Sequence, residues 1–597
     1  MDKKKTLKIG RSEFGLIVKN GHYFVDKTKL IYDFYTSEDD VLLMTRPKRF
    51  GKTLNLSMIE HFFDIQKPES AQLFSEFEIE KNHGFCAEHQ NKYPVINISL
   101  KDVKAVDWEA CREKFRIEIA DMYSKHEYLL QSEKLSEIRK ENFGQILRKE
   151  ASQAQLEYSL KHLSEYLKIH NENEVIILVD EYDAPIVNAF NNTNRPIKSP
   201  DKENKTYYER TISFMQTFLG KAFKGNIYLH KGLLTGVMRV GKESIFSEWN
   251  NFSVFGITMP YYFADSFGFT EQEIEKLLAY YGLQDQMESV QKWYDGYQFG
   301  NVNNIYNPWS IVNYITKNKV GFKPYWVNVG DYSLIKSRIT EQGVQEMVQT
   351  LIKGKTIDKE LKENFVFQDF ERNTELLWTL LTDSGYLTAV EKSKYGNYKL
   401  RIPNNEVKIV FTDIIVNWLD EELKITRDLL IKTSESLINN KLIEFEAGFK
   451  QIVGDTLSYF DTAEPTDRRS HKKFARQEQI FHVYTLGLLA ILSDDFQIKS
   501  NRESGEGRYD IMLIPRGTAP MQNGVVIEIK STEKQKENET AENFGQRINR
   551  EIDHALQQIE QKRYYKELID HKIKPEKILR IPIVFAGKEP YINKLSE

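Results

Sequence analysis

Two short apolar runs, Ile511–Ile514 and Val525–Ile527, separated by a loop holding Pro515, Gly517, Pro520 and Gly524, constrain this chain more than any other feature. Runs of this length and composition, bounded by turn residues, predict two neighbouring strands. Asp510 then sits at the start of the first strand and Glu528 at the end of the second. Because side chains alternate along a strand, Glu528 and Lys530 point one way while Ile529 points into the core. Two carboxylates are hard oxygen ligands suited to Mg²⁺ or Mn²⁺. A lysine two positions on suits orienting an attacking water or meeting charge on a phosphate. The same residues also fit an edge strand carrying a solvated Glu and Lys, so the flanks must decide.

Upstream, Glu478-Gln479-Ile480-Phe481-His482 opens an amphipathic stretch from Val483 to Leu492; downstream lies Ala555-Leu556-Gln557-Gln558-Ile559 with Tyr564. An acidic helix, a Gly-Arg-x-Asp strand, a Glu-x-Lys strand and then a Gln-Ile helix resembles the PD-(D/E)XK nuclease superfamily. The resemblance implies a mixed sheet between helices, with Glu478, Asp510, Glu528 and Lys530 around one metal site and Gln558 as a supporting polar group. Taken alone, Glu478 is an ordinary acid in a first helical turn, and Gln558 a capping or solvent-facing residue.

The N-terminal half carries a second chemistry. Val41–Thr45 reads as a buried strand, Arg46-Pro47-Lys48-Arg49-Phe50-Gly51-Lys52-Thr53 as a basic turn, and Leu54–Phe63 as a helix. A P-loop requires this strand, loop and helix context. Lys52 would reach the β- and γ-phosphates of ATP and Thr53 would ligand Mg²⁺, with Arg49, Phe50 and Gly51 in the loop cradling the nucleotide. The first glycine of the usual pattern is replaced by Arg46, and a lone Gly-Lys-Thr also occurs in ordinary loops before helices. Glu174–Glu181 adds an apolar strand ending in two acids. Asp180 would hold Mg²⁺ through water and Glu181 would polarise the hydrolytic water. A further strand, Leu233–Met238, leads to Arg239, which suits either a phosphate sensor or a surface position.

Together with Tyr23–Thr28, Trp293–Tyr297, Tyr306–Ser310 and Gly385–Leu387, these motifs resemble, over nearly the whole chain, a bacterial family of AAA-ATPase-like proteins fused to a C-terminal PD-(D/E)XK nuclease-like domain. Arg46 is normal in that family, whose loop has the form Arg-Pro-x-Arg-Phe-Gly-Lys-[Ser/Thr]. The resemblance implies ATP binding and a nuclease fold.

At 597 residues, 40% hydrophobic and 28% charged, the chain suits several soluble domains. It has no run long enough to span a membrane, and Met1-Asp2-Lys3-Lys4-Lys5 lacks a signal-peptide core, which predicts a cytoplasmic protein. Cys86 and Cys111 form no C-x-x-C pair, consistent with a reducing compartment and no zinc site. A net charge of −4 excludes a uniformly basic nucleic-acid binder. Contacts to nucleic acid must therefore come from local patches, for which Arg468–Lys473 and Lys562-Arg563 with Tyr564-Tyr565 are candidates alongside a plain solvated role.

The expected architecture is multidomain α/β: a P-loop NTPase core over residues 1–285, a helical lid and winged-helix-like region over 286–450, and a PD-(D/E)XK-like α/β domain over 451–597. Within it, one helix is expected from Leu429 to Phe449 and a linker from Asp455 to Lys473. The expected activity is an ATP-regulated, Mg²⁺-dependent nuclease acting on nucleic acid, DNA before RNA, with foreign-DNA restriction or phage defence as an architectural analogy. An ATP-dependent scaffold with a non-cleaving nuclease fold is the alternative, and a homo-oligomer accords with the habits of P-loop enzymes.

Overall fold

Five short apolar strands form an all-parallel sheet in the order β2-β3-β4-β1-β5: β1 Val41–Thr45, β2 Val95–Ser99, β3 Val175–Asp180, β4 Leu229–Gly236 and β5 Phe252–Phe255. The structure, a computed structural model, describes residues 4–192, 205–240, 251–259, 262–326, 342–352, 354–362, 370, 373–411, 426–460, 489, 492, 495–504, 507–516, 523–587 and 589–595. Every residue of β1 and β3 is buried, as strands covered on both faces require. Leu42 and Met44 of β1 and Ile176 and Leu178 of β3 pack with Leu56, Ile59 and Phe63 of helix Lys52–Phe63. Helices Trp108–Ser124, Gln153–Asn171 and Tyr207–Phe223 pack together, with Phe115 and Phe214 rings 4.4 Å apart. The pairing Thr45↔Gly236 aligns the C-terminal ends of β1 and β4, and Tyr182 N–H donates to the Thr235 carbonyl. The loops after β1, β3 and β4 therefore leave the sheet at one edge, where ligands bind in open parallel sheets.

The chain divides into two compact units, one of residues 1–338 with 356–407 and the other of 339–355 with 408–597. In the first, a hairpin of β6 Tyr297–Phe299 and β7 Val302–Ile305 and a small sheet of β8 Ile357–Lys359, β10 Tyr398–Arg401 and β9 Thr388–Lys392 follow the parallel sheet. The hairpin interrupts a stretch whose pattern suggests helix. Gly296, which enters it, has φ +98°, and a Cβ there would lie 2.1 Å from the Pro403 carbonyl oxygen.

The second unit is built on a mixed sheet in the order β11-β12-β13-β14-β15: β11 Phe496–Ser504, β12 Gly507–Pro515, β13 Gly524–Thr532, β14 Ile578–Ala586 and β15 Glu589–Tyr591. Strands β12 and β13 are antiparallel, and β13 and β14 parallel. One face places Ile511, Leu513, Val525, Ile527 and Ile529 against Phe445, Phe449 and Ile452. The other is covered by helix Ala541–Gln561, which buries a stripe of Phe544, Ile548, Ile552, Ala555 and Ile559 at helical spacing. Both strands are longer than their apolar runs, so Asp510 and Glu528 lie inside them rather than at an end. The single helix expected from Leu429 to Phe449 is two, Arg427–Ile438 and Leu442–Phe460. Asn440 takes φ +58° and Lys441 N–H returns to the Ser436 carbonyl, a left-handed cap that turns the chain. The second helix continues through residues 455–460, which were expected to be linker; residues 461–473 lie outside the described residues.

Gly296→Ala should destabilise the first unit by roughly 2 kcal/mol or more, because backbone strain and a carbonyl overlap add. Gly282→Ala, a left-handed cap at φ +76° and ψ +35° with only the Lys4 ammonium 3.9 Å from the added methyl, should cost about 1 kcal/mol from strain alone. Urea titration of both variants measures the difference; equal costs would mean that the Pro403 segment simply moves aside.

Candidate functional site

The turn after β1 is built around two cations that the local sequence must bury. Gly51 takes φ +90° as the cap before helix Lys52–Phe63, a conformation open to glycine. Lys52 is buried, and its Nζ donates to the carbonyls of Arg46 and Pro47 at 2.8 and 2.9 Å. Burial pulls its pKa down, opposed chiefly by Asp180, then Asp183 and Glu181. Thr53 Oγ1 donates to Asp180 Oδ2 at 2.6 Å, and Thr235 Oγ1 to Asp180 Oδ1 at 2.6 Å. The carboxylate at the end of β3 is thus oriented from both sides. Glu181, next in the chain, has φ +51°, and burial followed by the Asp180 charge raises its pKa.

Sequence reasoning noted Arg46 only as the residue in place of the usual glycine and assigned no role to it or to Asp183. Arg46 is fully buried, and its guanidinium donates to the carbonyls of Thr45, Phe255 and Phe263 at 2.7 to 2.9 Å while facing the rings of Phe299 and Phe267. It substitutes for the missing glycine by bracing the loop, and burial draws its pKa down to about 9. Asp183 Oδ2 accepts from Val237 and Met238 N–H at 2.9 and 3.0 Å, and Tyr182 hydroxyl donates to the Met238 carbonyl. The segment leading to Arg239 is therefore held by the residues following Asp180. Arg239 is half-buried, and no hydrogen bond joins it to Thr53 or Asp180. The third acid of Asp-Glu-Tyr-Asp was the available signal for Asp183.

The Trp309, Tyr297 and Trp326 regions form the loop's outer wall. Arg49, at φ +69°, lies over the Trp309 ring at 4.3 Å, and Phe50 packs edge-on to Tyr297 at 5.0 Å. Trp326 Nε1 donates to the Lys48 carbonyl at 3.1 Å. Behind it, Glu406 accepts from Trp326 N–H at 2.6 Å and from Ser310 hydroxyl at 2.7 Å. Burial lifts the Glu406 carboxyl from its usual 4.5 to about 8.

In the second unit the pairing Ile511↔Ile527 sets Asp510 opposite Glu528. Asp510 Oδ2 accepts from Ile529 N–H at 2.7 Å, fastening the peptide between Glu528 and Lys530. Lys530 Nζ donates to Glu528 Oε1 at 2.8 Å and to Gln558 Oε1 at 2.7 Å, and Gln558 Nε2 donates to Tyr564 hydroxyl at 2.9 Å. Four of the expected residues are thus one connected group beneath helix Ala541–Gln561. Glu478, like Arg468–Lys473, lies outside the described residues. Among the described residues no three His, Cys, Asp or Glu side chains cluster as a metal cage. The donors present are two hard carboxylates, which suit Mg²⁺ or Mn²⁺ completed by water.

Residues 8–246 match a family described as a predicted AAA-ATPase, and residues 476–595 match the PD-(D/E)XK nuclease superfamily. The chain therefore joins an AAA-ATPase-like domain to a C-terminal PD-(D/E)XK nuclease superfamily domain. It is 23% identical over 531 residues to an uncharacterized protein in the vnfD 5′ region of Azotobacter chroococcum mcd 1, covering 88% of this chain and 90% of the relative. The Walker-type ATPase PABY2304 of Pyrococcus abyssi is matched at 13% identity and TM-score 0.33, over 69% of this chain and 99% of that one. No helix among the described residues is long and apolar enough to cross a membrane.

Glu406 stays protonated in the folded protein up to about pH 8 but ionises near 4.5 when unfolded. The folded state then binds the extra proton, so this group costs stability increasingly as pH rises through that window. Glu406→Gln removes the cost. Its melting temperature relative to the parent should climb between about pH 5 and 8 and level off above; a difference independent of pH would contradict a buried neutral carboxyl here.

Proposed function

We propose that this protein is an ATP-regulated, Mg²⁺-dependent nuclease, with Mn²⁺ as a substitute, whose C-terminal site cleaves nucleic acid and prefers DNA to RNA. The observation that carries the reading is the opposition of Asp510 and Glu528 across antiparallel strands with Lys530 tied to Glu528 and Gln558. Asp510 and Glu528, aided by Glu478, would hold the ion, which when bound would polarise the phosphoryl group and acidify its water. Lys530 presents its ammonium beside Glu528, where it can orient the attacking water, and Gln558 fixes that ammonium from the helix side. In the first unit, Lys52 would exchange its loop carbonyls for the β- and γ-phosphates. Thr53 and Asp180 would hold Mg²⁺, Glu181 would accept the proton of the hydrolytic water, and Arg239 would sense the terminal phosphate. Arg49, Phe50 and Gly51 would shape the loop around the nucleotide.

In this proposal residues 1–285 are the switch, 286–450 the lid and 451–597 the nuclease, in a cytoplasmic protein that self-associates to restrict foreign DNA. The alternative is an ATP-dependent scaffold that binds nucleic acid without cutting it, against which the joined Asp510, Glu528 and Lys530 set weighs.

Incubating the purified chain with plasmid, linear DNA and RNA, with Mg²⁺ or Mn²⁺ and with or without ATP, separates the readings. Asp510→Ala, Glu528→Ala and Lys530→Ala should each reduce cleavage at least 100-fold, in the range expected for losing a catalytic group. Only the first two should weaken Mn²⁺ binding, since Lys530 opposes the cation. Retained cleavage in all three would leave the scaffold as the better account. For the nucleotide, Lys52→Ala should abolish ATP binding by calorimetry, whereas Glu181→Gln should keep binding and lose hydrolysis. Equal loss of binding in both variants would mean that these two roles are misassigned.

A further inference from the structure

The turn that follows the Gln558 helix carries a basic surface that no step above uses. Lys562, Arg563, Lys566, Lys572, Lys574 and Lys577 are all exposed, within a chain of net charge −4. The acids of this region are partly neutralised. Glu567 pairs with Lys499 and receives the Tyr509 hydroxyl, and Glu560 pairs with Arg580 at 2.5 Å. Asp570 and Glu576 remain as exposed acids against six exposed cations.

The placement of this surface is fixed at two points. Tyr564 accepts from Gln558, which itself holds Lys530, so the turn starts beside the carboxylate group. Next to Tyr564, Tyr509 donates to Glu567 at 3.2 Å, and Tyr509 is the neighbour of Asp510. Tyr565 supports Arg580, whose guanidinium lies 4.7 Å over its ring. Arg563 has φ +49°, a conformation that L side chains rarely adopt and that marks a held turn rather than a fraying helix end. Exposed cations on a turn tied through Tyr564 to Gln558 and through Glu567 to Tyr509 suit a line of phosphates, which carries its charge independently of sequence.

We propose that Lys562–Lys577 is the track for the nucleic-acid phosphate backbone, delivering the strand to Asp510 and Glu528. This rests on the nuclease reading for the identity of the polyanion, and the surface contacts phosphate rather than bases, so it supplies affinity and register without sequence preference.

The test uses the full chain, labelled duplex DNA and RNA of matching sequence, and fluorescence anisotropy across a salt series in EDTA so that nothing is cut. The compared proteins are the parent, a Lys562→Ala/Arg563→Ala/Lys566→Ala variant, and a control with Lys114→Ala/Lys319→Ala/Lys394→Ala, exposed lysines of the first unit. Each phosphate contact contributes about 0.9 to the slope of log affinity against log salt, so the track variant should lose about 2 to 3 from that slope and the control less than about 1. A track variant with the parent's slope, or a control that loses as much, overturns the track while leaving the nuclease reading standing. A parent that binds neither polymer overturns both.

Discussion

Arg46 is the point on which the nucleotide turn depends. A guanidinium buried without an anionic partner is costly, and here three backbone carbonyls from three separate segments, at Thr45, Phe255 and Phe263, supply the compensating acceptors. Removing any one would leave a buried donor unmet, so strand β1, strand β5 and the 263–267 segment are held in mutual register by one side chain. The Lys52 ammonium then uses the next two carbonyls, of Arg46 and Pro47, and the loop's backbone is almost entirely committed. Glycine-rich loops reach the same end by conformational freedom; this one reaches it by internal bracing.

A similar economy governs Asp180 and Asp183. The first receives hydroxyls from Thr53 and Thr235, joining the ends of β3 and β4 to the start of helix Lys52–Phe63, and the second holds the amides of Val237 and Met238. Asp180 and Asp183 together tie the end of β3 to the segment Thr235–Met238, which leads to Arg239, by short hydrogen bonds. The outer wall adds a further brace: Glu406 accepts from Trp326 and Ser310, and Trp326 reaches back to Lys48.

Much of this was legible in the chain because burial on both faces leaves a plain signature. Val41–Thr45, Val175–Asp180 and the pair around Asp510 and Glu528 are apolar runs ended by polar residues, and their types follow from local pattern. Lys530 and Gln558 were placed with Glu528 by motif order, and the hydrogen bonds join them. What was not legible depends on distant partners: the bracing role of Arg46 rests on Phe255 across 209 positions, and Glu406 meets Ser310 across 96, separations at which no periodicity speaks. The break between Arg427–Ile438 and Leu442–Phe460 was of another kind. Asn439-Asn440 is a local turn signal that a continuous apolar stripe on either side obscured.

The register of β12 on β13 has a further consequence. Side chains alternate with a period of two, so a slip of one residue would turn Glu528 and Lys530 toward Phe445 and Phe449, and Ile527 and Ile529 toward the helix carrying Gln558. Such a chain would bury charge in an apolar layer and, at the same time, part Asp510 from Glu528. Only a chain with β12 and β13 in this register holds the two carboxylates together. The pairing that closes the core is thus also the condition for assembling this polar group, and a partly paired chain cannot present it.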